Sequence, residues 1–319
     1  MKPISQTGKS EALDGRMIAV VGPTAGGKSE LAEALAEAFG GEIISTDSLQ
    51  VFRHLDIGTA KPAPSRRARI AHHLIDVAEP DESYSAGRYV ADAQAALAGI
   101  RAAGRLPLLC GGTGLYYRAL VQGLMEVPPV CASARAKVEA MLREEGVEAC
   151  HRELERVDPA TAGRLHPHDK ARITRALEIF FSTGRSISEF QRRQPFRSVP
   201  SNLLAVGIQW ERAALYARIN RRVPEMLEQG WVEEVRRILA MGFSPGLKPL
   251  QSIGYREISA LLRGEREEQG LVEDIARRTR NYAKRQVAWF RNQPEVHWFA
   301  PQRRDEIFRS AENFLKTGK

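Results

Sequence analysis

Three features of the sequence predict an α/β fold: a P-loop-bearing core with a parallel sheet flanked by helices, plus an all-helical insertion. The first is an apolar run, Met17 to Val21, that reads as a buried strand and ends in Gly22-Pro23-Thr24-Ala25-Gly26-Gly27-Lys28-Ser29. The second is the alternation of short apolar runs with helix-period segments through residues 17–120, the pattern of parallel strands joined by crossover helices. The third is a change of texture after Gly123, where Pro128-Pro129 opens a polar, helical stretch with no strand pattern before Leu203. The expected organisation is a loose polar extension over 1–16, a core over 17–120 and 201–319 that includes C-terminal helices, and a helical insertion over 121–200.

Strand, G-x-x-x-x-G-K-S and helix together are the full context of a P-loop. The glycines let backbone N–H groups turn inward around a phosphate. The helix N-terminus adds partial positive charge, Lys28 a full one, and the Ser29 hydroxyl a ligand for Mg²⁺. In the helix, Leu31, Leu35 and Phe39 recur every four residues, as on one face. Glu42 to Ser45 reads as a second strand. It ends in Thr46-Asp47-Ser48-Leu49-Gln50, at the ligand edge of an open sheet. His73 to Val77 is a candidate third strand, and Ser85 caps a helix that runs to about Ala103 and stops at Gly104. Leu106 to Cys110 is almost wholly apolar and reads as a central strand. It leads through Gly111-Gly112-Thr113-Gly114 into a helix from Leu115. Beyond the insertion, Leu203 to Trp210 returns as a strand, Pro224 is expected to kink or divide a helix, and the longest helix is expected over about Glu267 to Asn292.

A chain of 319 residues with 43% hydrophobic content buries a sizeable core. No apolar run is long enough to span a bilayer, and the first sixteen residues lack the apolar centre of a signal peptide. Cys110, Cys131 and Cys150 form no CxxC, so neither a disulfide framework nor a zinc site is indicated, and a reduced cytoplasm fits. The net charge of +8 fits a polyanionic partner or a solvated basic surface equally, so the distribution of the basic residues decides more than their total. Basic residues cluster twice. In the insertion, Arg164, His166, His168, Lys170, Arg172 and Arg175 precede Arg185, Arg192, Arg193 and Arg197. In the last long helix, Arg277, Arg280, Lys284 and Arg291 share one face, while Leu271, Ile275, Tyr282 and Trp289 mark a face expected to pack on the core. Two such clusters beside a phosphate site point to a nucleic-acid groove.

Asp47 carries three readings: a general base beside the phosphate cradle, a Mg²⁺ ligand, or a structural cap. Thr113 is placed to present a hydroxyl to an anionic group. The strand before Gly111 ends in Leu109-Cys110, where many nucleoside-triphosphate hydrolases carry a metal-binding Asp. That argues mildly against an ATPase or GTPase, with Asp76 as the alternative ligand. His72-His73 has no partner at metal-ligand spacing and reads as structural.

Taken together these motifs resemble the tRNA dimethylallyltransferases, also called tRNA isopentenyltransferases, from Ile18 to about Phe299. The resemblance rests on the P-loop and on Asp47-Ser48-Leu49-Gln50-Val51-Phe52, Asp56-Ile57-Gly58-Thr59-Ala60-Lys61-Pro62, His72-His73-Leu74-Ile75-Asp76 and Gly111-Gly112-Thr113-Gly114-Leu115-Tyr116. It continues in Arg172-Ile173-Thr174-Arg175-Ala176-Leu177-Glu178, Leu250-Gln251-Ser252-Ile253-Gly254-Tyr255 and Ala283-Lys284-Arg285-Gln286. It implies Mg²⁺-dependent transfer of a dimethylallyl group from dimethylallyl diphosphate to N6 of an adenosine beside the anticodon of tRNAs that read codons beginning with U.

The resemblance also implies that Gly22 to Ser29 hold the prenyl diphosphate, with Ser29 toward the metal. Asp47 takes the base role, Thr113 sits in the reaction channel, and Arg222 contacts the diphosphate. The implied tRNA contacts are Asp47, Ser48, Leu49, Gln50, Thr113, Arg135, Arg172, Ile173, Thr174, Arg175, Lys284 and Arg285. A cytoplasmic monomer that grips the anticodon stem-loop through its insertion and binds no membrane is the resulting expectation. Phe52 stands where a tyrosine is common and Gly26 where a serine is usual, and the absence of a zinc finger points to the bacterial form. The rival readings are a small-molecule kinase, an adenylate isopentenyltransferase acting on a free nucleotide, and an RNA-binding protein whose P-loop is only a regulatory switch.

Overall fold

The structure is a computed structural model that describes residues 15–194 and 197–317, so residues 1–14 of the expected extension lie outside the described residues. It divides into two compact units, Met1–Val121 with Val199–Lys319, and Gln122–Ser198.

The first unit is built on β1 (Met17–Val21), α1 (Lys28–Phe39), β2 (Gly41–Ser45), α2 (Pro64–Arg69), β3 (His72–His73), α3 (Ala86–Ala102), β4 (Leu106–Gly111) and α4 (Gly114–Gln122). All six strands of its sheet are parallel, in the order β3-β2-β4-β1-β5-β6, with β5 (Leu203–Ile208) and β6 (Val296–Phe299) contributed after the second unit. β1 and β4 are central and buried along nearly their whole length, which is why both read as unbroken apolar runs. The two faces carry separate cores. One includes Tyr89, Tyr117, Tyr255 and Phe290; the other includes Leu31, Leu35, Leu108 and Phe314.

Three neighbouring strands determine where the chemistry falls. β2, β4 and β1 lie side by side, and their carboxyl ends are level: Ser45 pairs with Cys110, and Val21 with Gly111. The chain leaving β1 becomes the P-loop, that leaving β2 carries Asp47, and that leaving β4 carries Thr113. Their backbones approach too closely for side chains. A Cβ on Gly111 would meet Thr46 O at 2.4 Å, and one on Gly112 would meet Gly22 O at 3.0 Å.

The helices that follow β5 are α10 (Arg212–Glu228), α11 (Trp231–Ala240), a 3₁₀ turn (Lys248–Gln251), α12 (Tyr255–Leu262), α13 (Leu271–Arg291) and, after β6, α14 (Arg304–Thr317). Of the two outcomes expected at Pro224, division is ruled out, since α10 runs through it. One expectation is corrected here. The third strand stops at His73, because Leu74 and Asp76 take left-handed φ angles of 63° and 59° that no strand accommodates. The departure delivers Asp76 to Lys61 and Arg67, each at 2.6 Å. β6, half-exposed on the sheet edge, is the strand that the sequence pattern does not announce.

The second unit is wholly helical among its described residues: α5 (Ala132–Glu144), α6 (Gly146–Val157), α7 (Pro159–Ala162), α8 (Lys170–Thr183) and α9 (Ile187–Arg193). Val138, Cys150, Leu154, Ile173 and Leu177 form its principal core. Asp158, 2% exposed, ties the helices together by accepting from Thr161 N with Oδ1 and Ser188 N with Oδ2.

Candidate active site

The P-loop is shaped by its own backbone and held open from outside. Gly27 takes φ 85°, the left-handed turn that suits glycine and starts α1 at Lys28. Three side chains distant in sequence then brace the loop. Gln286, 6% exposed, accepts from Thr24 N at 2.8 Å and donates to Gly112 O at 2.9 Å. Trp210 donates to Gly26 O at 2.9 Å, and Arg218 donates to Ala25 O at 2.8 Å while lying 4.4 Å over the Trp210 ring. Thr24 N is spent on Gln286 and Gly26 N on Pro23 O, so the amides left to an anion are those at the start of α1. These braces are the functional residues that sequence reasoning missed. In the sequence Gln286 stands out only as the end of Ala283-Lys284-Arg285-Gln286, and neither Trp210 nor Arg218 carries a local signal.

Two cavities meet at this loop. One, of about 640 Å³, includes Gly26, Gly27, Ser29, Cys110 and Arg218 in its lining. The other, of about 590 Å³, includes Leu49, Trp231, Arg278, Tyr282 and Arg285. Lys28, Asp47, Thr59 and Arg222 line both. Burial lowers the Lys28 ammonium to about 8, against the opposing pull of Cys110 and Asp47. Burial also lowers the Arg222 guanidinium, opposed by Asp47. Two cations thus sit partly desolvated around one carboxylate. An anion entering there is worth more than it would be in water.

Asp47 Oδ1 accepts from Leu49 N at 2.9 Å and Gln50 N at 3.4 Å, so the capping role is real and uses one oxygen. Thr113 Oγ1 accepts from Ser48 N at 3.0 Å, and Thr113 N donates to Thr46 O at 3.1 Å, locking the loops after β2 and β4 together. The Tyr282 phenol, pushed up by burial and held to Thr113 and Gln286, joins this group. That corrects its expected place: Tyr282 lines the cavity and is not part of the core, whereas Leu271 is in the core and Ile275 is in the core and at the cavity wall.

Among the other sequence-predicted residues, Ser48 and Leu49 line the second cavity. Gln50 spends its side chain internally, accepting from Ser45 Oγ at 2.9 Å and donating to Thr59 O at 3.1 Å. Arg135, Lys284 and Arg285 are exposed. In α8, Arg172 is exposed and lies 3.4 Å from Asp169, Arg175 lies 3.4 Å from Glu178, and Thr174 bonds back to Lys170 O. Ile173 is fully buried in the helical core, where its side chain packs with Val138, Cys150 and Leu177 while the arginines beside it are exposed or part-exposed. The late basic face is partly spent, since Arg277 pairs with Asp274 and Arg280 with Asn220.

The metal candidates also separate. Asp76 is committed to Lys61 and Arg67; burial pushes its carboxyl up, but these partners win and hold it below the ordinary range. His72 bonds Ile70 O and His73 bonds Glu42, each within the fold. Among the described residues no three His, Cys, Asp or Glu side chains gather as a metal cage. The Ser29 hydroxyl beside the loop suits a Mg²⁺ that arrives with phosphate oxygens and keeps several waters. Cys110, its thiol raised to about 11 chiefly by burial, stays protonated beside Ser29.

The Lys28 ammonium yields a pH prediction. An anion binds the protonated form, so pyrophosphate affinity should weaken as pH rises through about 8. Binding should then take up a proton on the alkaline side. Calorimetry in buffers of different ionisation enthalpy reads both effects; an affinity that stays flat from about pH 7 to about pH 9 would contradict it.

Comparison with known proteins accords with this geometry. A family model described as IPP transferase matches residues 50–293, and one described as isopentenyl transferase matches residues 15–76. The chain is 47% identical over 283 residues to a tRNA dimethylallyltransferase of Geobacter sulfurreducens, covering 89% of this chain and 91% of that one. It is 44% identical over 308 residues to that of Syntrophobacter fumaroxidans, covering 93% and 89%. Its structure is similar to the full-length tRNA isopentenylpyrophosphate transferase of Bacillus halodurans, with TM-score 0.70, 36% identity, and coverage of 95% and 97%. A eukaryotic dimethylallyltransferase solved acting on tRNA gives TM-score 0.78 at 26% identity, covering 95% and 84%. By sequence and by structure, this chain belongs to the IPP transferase family.

Proposed function

We propose that this protein transfers a dimethylallyl group from dimethylallyl diphosphate to N6 of the adenosine adjacent to the anticodon, position 37, of tRNAs reading codons that begin with U. The observation that carries the reading is the meeting of two cavities at Lys28, Asp47 and Arg222. One opening offers a phosphate cradle, the other a route for an acceptor, and a single carboxylate lies between them.

The chemistry follows from these groups. The diphosphate lies in the P-loop against Lys28 and Arg222, with the allylic carbon toward Asp47. The N6 lone pair attacks that carbon as the carbon–oxygen bond breaks, and the bond pair leaves with diphosphate. Loop amides, Lys28 and Arg222 take up the growing negative charge, donors fixed in a partly dry site. Asp47 Oδ1 is anchored by the turn, which leaves Oδ2 to accept the amine proton. Mg²⁺, held by Ser29 and the diphosphate oxygens, supplies further charge neutralisation when bound. An adenine stacked in a loop cannot reach this carbon, so the base is flipped into the second cavity, against Tyr282 and Trp231.

The arginines of α8, with Arg135, Lys284 and Arg285, hold the anticodon stem-loop through phosphates and shape. No helix among the described residues is long and apolar enough to cross a membrane. The working location is taken as the cytoplasm and the working state as a monomer.

The test is incubation of unmodified tRNA with carbon-labelled dimethylallyl diphosphate and Mg²⁺, followed by digestion to nucleosides. Label should appear on N6 of that one adenosine. Label on free AMP but not on tRNA would favour the adenylate enzyme, and no transfer with ATP-dependent phosphorylation of a metabolite would favour a kinase.

A further inference from the structure

Resting on the activity proposed above, we infer that Glu234 is the positioning residue of the catalytic loop, orienting Asp47 through a buried relay of hydrogen bonds although it touches no substrate.

Glu234 lies one turn after Trp231 on α11 and is 1% exposed. A carboxylate so buried is costly unless its lone pairs are filled, and here four donors fill them. Ile57 N at 2.6 Å and Asp56 N at 3.1 Å donate to Oε2; Gly58 N at 3.3 Å and the Tyr255 hydroxyl at 2.6 Å donate to Oε1. Three successive amides of one turn thus converge on one side chain from a helix 176 to 178 positions away. The amides fix the turn, and the turn aims the next segment. Gln50 Nε2 donates to Thr59 O at 3.1 Å and to Ala60 O at 3.4 Å, and Gln50 Oε1 accepts from Ser45 Oγ at 2.9 Å. The backbone amide of the same Gln50 donates to Asp47 Oδ1. From Glu234 to the base there are three links: the turn, Gln50 and the Asp47 cap. Gly58 and Thr59 also line the second cavity, so a shift of this turn moves the wall and the base together.

The P-loop has other anchors, Gln286, Trp210 and Arg218. Loosening the relay should therefore cost turnover without costing diphosphate binding. A merely structural carboxylate would lower stability and leave each folded molecule as fast as before.

The experiment compares wild type with Glu234→Gln, alone and on the Asp47→Asn background, well below each melting temperature. Whichever way the glutamine amide turns, its NH₂ meets donors that need an acceptor. Expected is a kcat loss of roughly tenfold to a hundredfold, the scale of an ångström-level misplacement. The KM for dimethylallyl diphosphate should stay within about twofold, and on the Asp47→Asn background Glu234→Gln should change the residual rate by less than about twofold, because residues acting through one another are not additive. An equal loss on both backgrounds, or an unchanged kcat, overturns the inference. Should Glu234→Gln not fold, Gln50→Met cuts the relay while leaving the buried carboxylate and its donors in place; a wild-type kcat in that variant overturns the inference equally. A wild-type chain that transfers no prenyl group overturns the activity reading and this inference together, whereas normal transfer by wild type and variants alike removes only the inference.

Discussion

Asp47→Asn is expected to lose roughly 10²–10⁴-fold in single-turnover rate, the usual contribution of a positioned base, while binding tRNA and dimethylallyl diphosphate almost normally. Asparagine is the informative substitution because the side chain has two separable jobs. Oδ1 accepts from Leu49 N and Gln50 N, and an amide oxygen preserves both bonds and with them the turn. Only proton acceptance at the second position is lost. Alanine would remove the cap as well and mix the two effects. Filter binding of tRNA together with rapid-quench turnover checks the split. A variant that kept close to the wild-type rate would remove Asp47 from the base role.

Lys28→Met should show the complementary pattern. Methionine keeps much of the stem but removes the one ammonium whose charge is held partly desolvated at the junction of the cavities. It also removes the donor that bonds Pro23 O at 2.7 Å. Loss of one preorganised donor to a developing anion costs about 10²–10³ in rate; with the weaker ground-state binding added, kcat/KM for dimethylallyl diphosphate should fall by roughly 10³-fold or more. Affinity for tRNA should barely change. Asp47→Asn keeps the diphosphate and loses chemistry, whereas Lys28→Met loses both, so the two variants assign base and anion holder independently. Unimpaired pyrophosphate binding by Lys28→Met would contradict the assignment.

What the sequence makes legible follows from how local the physics is. The P-loop, Asp47 and Thr113 sit on turns at strand ends, where glycine and short polar residues are demanded by backbone geometry within a few positions. The central strands are legible because both faces are buried, so they contain almost nothing but apolar residues. β6 is not, since Val296 alone of its four residues is buried and β5 dictates its pairing. The early end of β3 is set by Lys61 and Arg67 drawing Asp76 aside, a tertiary ion pair with no periodic signature. Distance in sequence hides the braces of the P-loop: Gln286 and Thr24 are 262 positions apart. Glu234 is hidden for the same reason: the turn that fills its lone pairs lies 176 to 178 positions away. Ile173 lies between exposed arginines in sequence yet is fully buried, because one face of α8 must seat the helix on its core.

In the proposed reaction the P-loop holds a leaving group, so that carbon and not phosphorus moves. This is tested most directly by dimethylallyl diphosphate labelled with ¹⁴C in the prenyl chain and ³²P in the diphosphate, incubated with unmodified tRNA and Mg²⁺. ¹⁴C should appear on the RNA in molar amounts equal to the pyrophosphate released with ³²P. Phosphorus label retained on the RNA, or pyrophosphate released without carbon transfer, would contradict it.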